Sequence, residues 1–329
     1  MRPTIRDVAR HAGVSIATVS RVMRDSEAVR PATRDRVRAA ASALEFVPSQ
    51  LGRQLAERRH AANGIVFPDL SGPYYAEVVL GYESVAAELG RSVLILSTRG
   101  RDDADAAVHA MAERCDGLVI LGRTVSDESV ERLAARGANV VLVARPPVGG
   151  VDSVNAENRT SARALTQHLL DLGAHRLVFV GDPSTSPDVA ERFAGVQEVS
   201  TTVELHHVDD LDEVAGAHLV GDYLTRALPD AFVCANDELA LGMLGRLRAA
   251  GVDIPGRVKV TGWDDVMAAR YVRPGLTTVR QPVHELGVLA ADRLHDLVSG
   301  ATPSVERRVL ATEVVIRSSC GCPPGAPAG

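Results

Sequence analysis

Residues 4–23 read TIRDVARHAGVSIATVSRVM, and their apolar spacing sets the organisation of the amino-terminal end. Ile5, Val8, Ala9 and Ala12 recur at i, i+3, i+4 and i+7, the spacing that lines one face of a helix. Gly13 offers the permissive backbone of a sharp turn. Ser15 then caps a second helix through Met23, with Val19, Val22 and Met23 directed at the first. Two helices joined by a short glycine-containing turn make a helix-turn-helix. This leaves Ile16, Ala17, Ser20 and Arg21 facing away from the shared core, on the helix that such motifs insert into the major groove. Arginine can donate a bidentate pair to guanine, and small apolar side chains can pack on a thymine methyl. A third helix is predicted from Pro31 to about Leu44, with Val37, Ala40, Ala41 and Leu44 inward.

Working outward, the charge is uneven. The first 60 residues carry twelve arginines and no lysine against six carboxylates, yet the 329-residue chain has a net charge of −6. A basic segment on an acidic body is the footprint of a nucleic-acid-binding module attached to something that avoids phosphate. A hydrophobic share of 46% with 24% charged residues excludes a disordered chain, and the length accommodates two domains. No run approaches the roughly 18 apolar residues of a membrane span, and MRPTIRDVAR lacks the apolar segment of a secretory signal. The expected setting is cytoplasmic, with no membrane partner.

From residue 63 onward short β-branched runs (GIVF, SVLILST, GLVIL, ANVVLVA, RLVFVG, AFVCA, VKVTGW) alternate with amphipathic stretches. Such alternation predicts an α/β fold with parallel sheets flanked by helices, whose ligands sit beyond the carboxyl ends of the strands. No G-x-G-x-x-G follows the first strand, and no P-loop, G-x-S-x-G or H-E-x-x-H occurs, so the chain is read as no enzyme and as needing no cofactor. His206 and His207 beside Asp209, Asp210 and Asp212 read as a solvated turn, not a metal site. Cys115 and Cys234 lie in apolar runs as core thiols. The tail CGCPPGAPAG, residues 320–329, is expected to be disordered. No further ligand pair for zinc is visible beside Cys320 and Cys322, which receive no function.

The amino-terminal segment resembles the lactose-repressor/galactose-repressor (LacI/GalR) family of bacterial transcription regulators. The family's opening pattern is met by Thr4, Asp7, Val8, Ala9, Ala12, Gly13, Val14, Ser15, Thr18, Val19, Ser20 and Arg21. The resemblance makes Ile16 and Ala17 the operator-specificity pair and adds Thr4, Ser15, Thr18, Ser20, Arg21 and Arg24 to the DNA-contacting set. Arg24 stands where the family commonly has Asn. FVPSQLGRQLAERR, residues 46–59, matches the family hinge, implying DNA contacts from Ser49 and Arg53 and a minor-groove wedge at Leu55. An inserted apolar wedge unstacks a base step and kinks the duplex.

The same resemblance implies two similar α/β subdomains, like those of periplasmic sugar-binding proteins, closing on a ligand. Its pieces are PDLSGPYYAEVVLGYE, RFAG, CANDELALG, GWDD and PGLTTVRQP. It implies a cleft containing Asp69, Tyr74, Tyr75, Arg192, Asn236, Trp263 and Asp264. Arg donates, Asp accepts and Asn does both, a set suited to a polyol. Arg123, Arg145 and Asp188 are expected to project into the cleft too, favouring an anionic or acidic ligand over a neutral hexose. Ala144 stands where many sugar-responsive relatives have Asp, and Glu157 replaces the Asp of a V-x-x-D-N motif. The chain between Gly195 and Ala215 is shorter than is typical of the family, so a helix and a strand of the second subdomain look trimmed.

The expected organisation is a helix-turn-helix domain at 1–45, a hinge at 46–60, a core at 61–319 and a tail at 320–329. Within the core, the first subdomain is placed at about 61–158 and 282–306, the second at 159–281 and 307–319. The expected function is a sequence-specific regulator, a repressor, binding palindromic double-stranded operator DNA as a homodimer under control of a sugar-like effector. A free sugar-binding protein and a sugar-modifying enzyme are the rivals; the helix-turn-helix argues against the first and the missing catalytic constellation against the second.

Overall fold

Thr4 opens the first helix: its backbone N–H and its hydroxyl both donate to the Asp7 carboxylate, at 3.0 and 2.7 Å. Helix α1 (Ile5–Ala12) ends at Gly13, which takes φ 62. Helix α2 (Ile16–Met23) starts where the Thr18 N–H donates to Ser15 Oγ at 3.1 Å, and α3 (Pro31–Ala43) begins on its proline. Val8, Val19, Val22 and Val37 are the centre of one apolar cluster among these helices, with Ile5, Met23 and Leu44 packed at its edge. The computed structural model describes residues 3–23, 26, 28–46, 60–301 and 304–322. The chain divides into two compact units, residues 1–60 and 61–329.

The second unit begins with a six-stranded sheet in the order β11-β5-β4-β3-β1-β2. Its strands are β1 (Ala62–Phe67), β2 (Ser92–Ser97), β3 (Gly117–Leu121), β4 (Asn139–Val143), β5 (Asp152–Ala156) and β11 (Arg307–Leu310), paired in parallel. Both faces are covered: Ile65 and Phe67 pack with α4 (Pro73–Glu88) and α12 (Val283–Ser299), while Val66 packs on the side of α5 (Ala104–Ala112) and α6 (Asp127–Ala135). Strands buried on two faces need apolar residues throughout, and β1 and β3 are buried at every position.

A second sheet runs β7-β6-β8-β9, from β6 (Leu177–Val180), β7 (Glu204–His206), β8 (Ala231–Cys234) and β9 (Lys259–Thr261). It packs with α7 (Arg159–Asp171), α8 (Pro187–Gln197), α9 (Glu213–Leu224), α10 (Asp237–Ala249) and α11 (Met267–Tyr271). The two halves are joined by three chain crossings, two of which pair as β10 (Thr278–Arg280) and β12 (Glu313–Val315) in a small antiparallel sheet. This is the expected α/β architecture.

The structure corrects two expectations, at residues 307–310 and 320–322. Residues 307–310 form the edge strand β11 beside β5, so they belong to the first subdomain, not the second. Between Gly195 and Ala215 the chain holds the end of α8, the three-residue strand β7 and the start of α9. Residues 320–322 are not disordered: Cys320 is fully buried at the end of the short 3-10 turn Ser318–Cys320, bound to the core through Ser319. No helix among the described residues is long and apolar enough to cross a membrane.

Candidate functional site

Two surfaces carry the chemistry, and the first is the outer face of α2. Ile16, Ala17 and Arg21 are exposed, and Ser20 and Thr18 are half-buried. Ile16 leaves 46% of its surface in solvent, while Val19 and Val22 of the same helix are buried. Ser15 and Thr18 hold the helix start, their hydroxyls 2.9 Å apart. Thr4 does the same for α1, so these three residues shape the helix ends whatever else they touch. Arg24, Ser49, Arg53 and Leu55 lie outside the described residues.

The second surface is a cavity of about 320 Å³ between the two sheets' subdomains, within the size range of small-molecule sites. One wall comes from the first subdomain through Asp69, Tyr74, Tyr75, Arg99, Arg123 and Ala144, beyond the carboxyl ends of β1 to β4. The other comes from the second through Asp188, Arg192, Asp210, Asp212, Asn236, Glu238 and Asp264, with Gln281 from the crossing after β10. Tyr74 and Tyr75 meet edge to face, their rings 5.3 Å apart, and Tyr75 rests in turn on Phe67. A rigid aromatic wall of this kind fits the C–H face of a sugar ring.

The polar groups divide into those already committed and those left for a ligand. Arg192 donates to Asn158 Oδ1 at 2.8 Å and to the Ala235 carbonyl at 2.6 Å, while its guanidinium lies 4.6 Å over the Trp263 ring. Asn236 caps α10, accepting from the Leu239 N–H and donating to the Leu211 carbonyl. Asp69 accepts from the Ser71 N–H at 2.6 Å and pairs with Arg99, which reaches across to Asp210 at 2.9 Å. Asp188, Glu238, Asp264 and the unpartnered, buried Oε1 of Gln281 therefore carry most of the unspent hydrogen-bonding capacity.

Enclosure raises the carboxyls. Burial pushes Asp264 up to about 6, with Arg192 and a hydrogen bond from Gln281 holding it down. Burial and the neighbouring Asp264 charge push Glu238 up to about 7, and burial raises Asp188. Asp264 also takes φ 116 and Ala144 φ 55, left-handed backbone that non-glycine residues rarely adopt; such positions gather at ligand sites.

One expected cleft residue lies elsewhere, and another stands beside the cavity. Trp263 is 2% exposed, sealed into the second subdomain's core beneath Arg192, and its role is to support that guanidinium. Arg145 donates to the Val125 carbonyl and pairs with Asp127; it is not on the wall of this cavity but lines a second one that adjoins it through Arg123, Pro187 and Asp188. The wall of the first cavity holds more acid than base. It carries seven carboxyl groups (Asp69, Asp188, Asp209, Asp210, Asp212, Glu238, Asp264) against Arg99, Arg123 and Arg192, two of the seven being paired with Arg99. Sequence reading missed Glu238, although it follows Asn236 in CANDELALG. It also missed Arg99 and the 209–212 segment, which the fold delivers from the end of β2 and from the connector after β7.

Residues 4–49 match the model of the bacterial regulatory proteins of the lacI family, and residues 166–320 match that of the periplasmic binding protein-like domain. The chain is 32% identical to the HTH-type transcriptional regulator GalR of Salmonella typhimurium over 332 residues, covering 97% of this chain and 96% of the relative. Its structure superposes on a lac repressor dimer bound to operator and the anti-inducer ONPF with a TM-score of 0.85 at 26% identity, over 97% and 99% of the two chains. It superposes on a CelR–cellobiose complex with a TM-score of 0.71 at 30% identity, over 97% and 100%. A near-full-length relative at this identity, together with the two domain matches in this order, decides the matter: the chain belongs to the lacI family of bacterial regulatory proteins.

Proposed function

We propose that the chain is a cytoplasmic, sequence-specific repressor that binds a palindromic operator as a homodimer and is switched by a neutral saccharide held in the cleft. The observation that carries the effector class is the cavity itself: an edge-to-face tyrosine wall opposite Asp188, Glu238 and Asp264. Carboxylates accept hydrogen bonds from hydroxyls, and an acid-rich wall disfavours phosphates and sugar acids. The similar CelR structure holds cellobiose, and the similar lac repressor structure holds an operator, which supports the same pairing of ligands here. The α2 face, with Ile16, Ala17 and Arg21 outward, reads the major groove, and Leu55 of the hinge wedges the minor groove. The protein binds its saccharide without turning it over.

Control follows from linkage. A saccharide that favours one arrangement of the two cleft walls shifts the operator equilibrium by its differential affinity, about 1 to 3 kcal/mol in typical allostery, or roughly 5- to 150-fold. The test is a thermal-shift screen of the full-length protein against neutral saccharides, sugar phosphates, sugar acids and nucleobases, since a ligand of the native state raises apparent stability. A saturable shift from neutral saccharides, lost in Asp264→Ala, is expected. Shifts from sugar phosphates or acids alone, or from nothing, overturn the effector class.

A further inference from the structure

His168 of α7 and the two cysteines that follow the last crossing strand meet at one point, although more than 150 positions separate them in the chain. His168 Nε2 lies 3.5 Å from Cys320 Sγ and 3.6 Å from Cys322 Sγ, and all three atoms fall within 4.8 Å of one another. A tetrahedral zinc ion with Zn–S of about 2.3 Å and Zn–N of about 2.0–2.1 Å separates sulfur and nitrogen ligands by about 3.6 Å. Gly321 holds the two sulfurs on the same side by taking φ 102, where a side chain is strained. The Thr277 hydroxyl stands 3.1 Å from Cys320 Sγ, placed to donate to a thiolate as outer-shell partners of metal ligands do.

We propose that His168, Cys320 and Cys322 form a zinc(II) site that ties the carboxyl-terminal end of the core to the second subdomain. Binding deprotonates both thiols and releases two protons to solvent, leaving a neutral Cys–Cys–His complex in which no atom changes oxidation state. Cys320 and His168 are buried but Cys322 is half-exposed, so the fourth position faces outward and takes a water molecule. The donors suit zinc, being soft thiolates with one imidazole, and not magnesium or calcium.

Cobalt(II) tests the site on the full-length protein, purified with reductant and without chelator. One equivalent is expected to bind with thiolate-to-cobalt charge-transfer absorption and tetrahedral visible bands, both erased by zinc(II). Cys322→Ser, a change at a half-exposed position, is expected to lose much of the charge-transfer intensity and weaken zinc binding by at least about tenfold. Cys115→Ser leaves both unchanged. Wild-type protein without charge-transfer bands at saturating cobalt, or bands that persist in Cys322→Ser, overturns the proposal. So does a two-dalton mass loss from a Cys320–Cys322 disulfide, formed with reductant present and without metal uptake.

Discussion

Asp264 combines an unusual backbone with an enclosed carboxyl, and both have causes in its neighbours. Its N–H donates to the Val279 carbonyl at 2.8 Å, and the next residue, Asp265, is buried among Arg280, Arg270 and Arg317. The φ of 116 at Asp264 is thus held by the crossing strands on one side and by a buried ion cluster on the other. Because burial raises the folded-state carboxyl to about 6 from an ordinary 3.8, protonation favours the unliganded fold. That stabilisation is complete below about 3.8 and is lost as the pH rises through about 6. Saccharide hydroxyls prefer the ionised acceptor, so binding has the opposite slope. Affinity measured calorimetrically is expected to rise as the pH passes from below about 6 to above about 7, where Glu238 also ionises. Asp264→Asn is expected to flatten the lower part of that profile; an unchanged profile would show that another group governs it.

At the scale of elements, the helix-turn-helix was legible because period and caps agree over a short range. Ile5, Val8, Ala9 and Ala12 turn inward to different depths, and Ser15 caps where its type predicts. Ser15→Ala is expected to cost about 1 kcal/mol, seen as a lower unfolding midpoint, with the outward face of α2 intact. Arg21→Ala leaves stability unchanged but should abolish discrimination between operator and random duplex in a competition assay, because its side chain is exposed and packs on nothing in the core. The central strands were equally plain, being apolar throughout. Others were not. Strand β11 reads RRVL, and its membership of the first sheet comes from pairing with β5 some 150 residues earlier, which no local pattern carries. Strands β7, β10 and β12 have three residues each, too few to show a period. Glu157, which looked like a departure from a motif, is a helix cap, accepting from the Ser161 N–H at 3.1 Å. The cleft was legible where its residues sit in motifs, as Tyr74 and Asp264 do. It was illegible where a side chain's direction depends on packing, as it does for Arg145 and Trp263.

Across the molecule, the two subdomains face each other over the cavity, and two of their contacts lie at its edge. Gly72 faces Glu238 so closely that a Cβ would lie 2.5 Å from its Oε1. Gly72 also takes φ 88, so Gly72→Val strains the turn that opens α4 and displaces the Glu238 carboxylate; it should weaken saccharide binding at least tenfold in the thermal-shift assay, while the helix-turn-helix keeps its affinity for DNA without saccharide. Retained saccharide affinity would mean that the walls do not need this approach. The other contact is the arginine strap, Arg99 between Asp69 and Asp210, in which Arg99 and Asp210 remain 53% and 55% exposed. An ion pair so open to solvent adds little to stability and is screened over about 8 Å at physiological ionic strength. A weak, salt-sensitive strap affects timing more than affinity. The residence time of the saccharide, and with it the speed at which a cell can reverse the transcriptional state, is then set partly by ionic strength. In stopped-flow experiments the dissociation rate should climb with added salt for the wild type and stay level for Arg99→Ala.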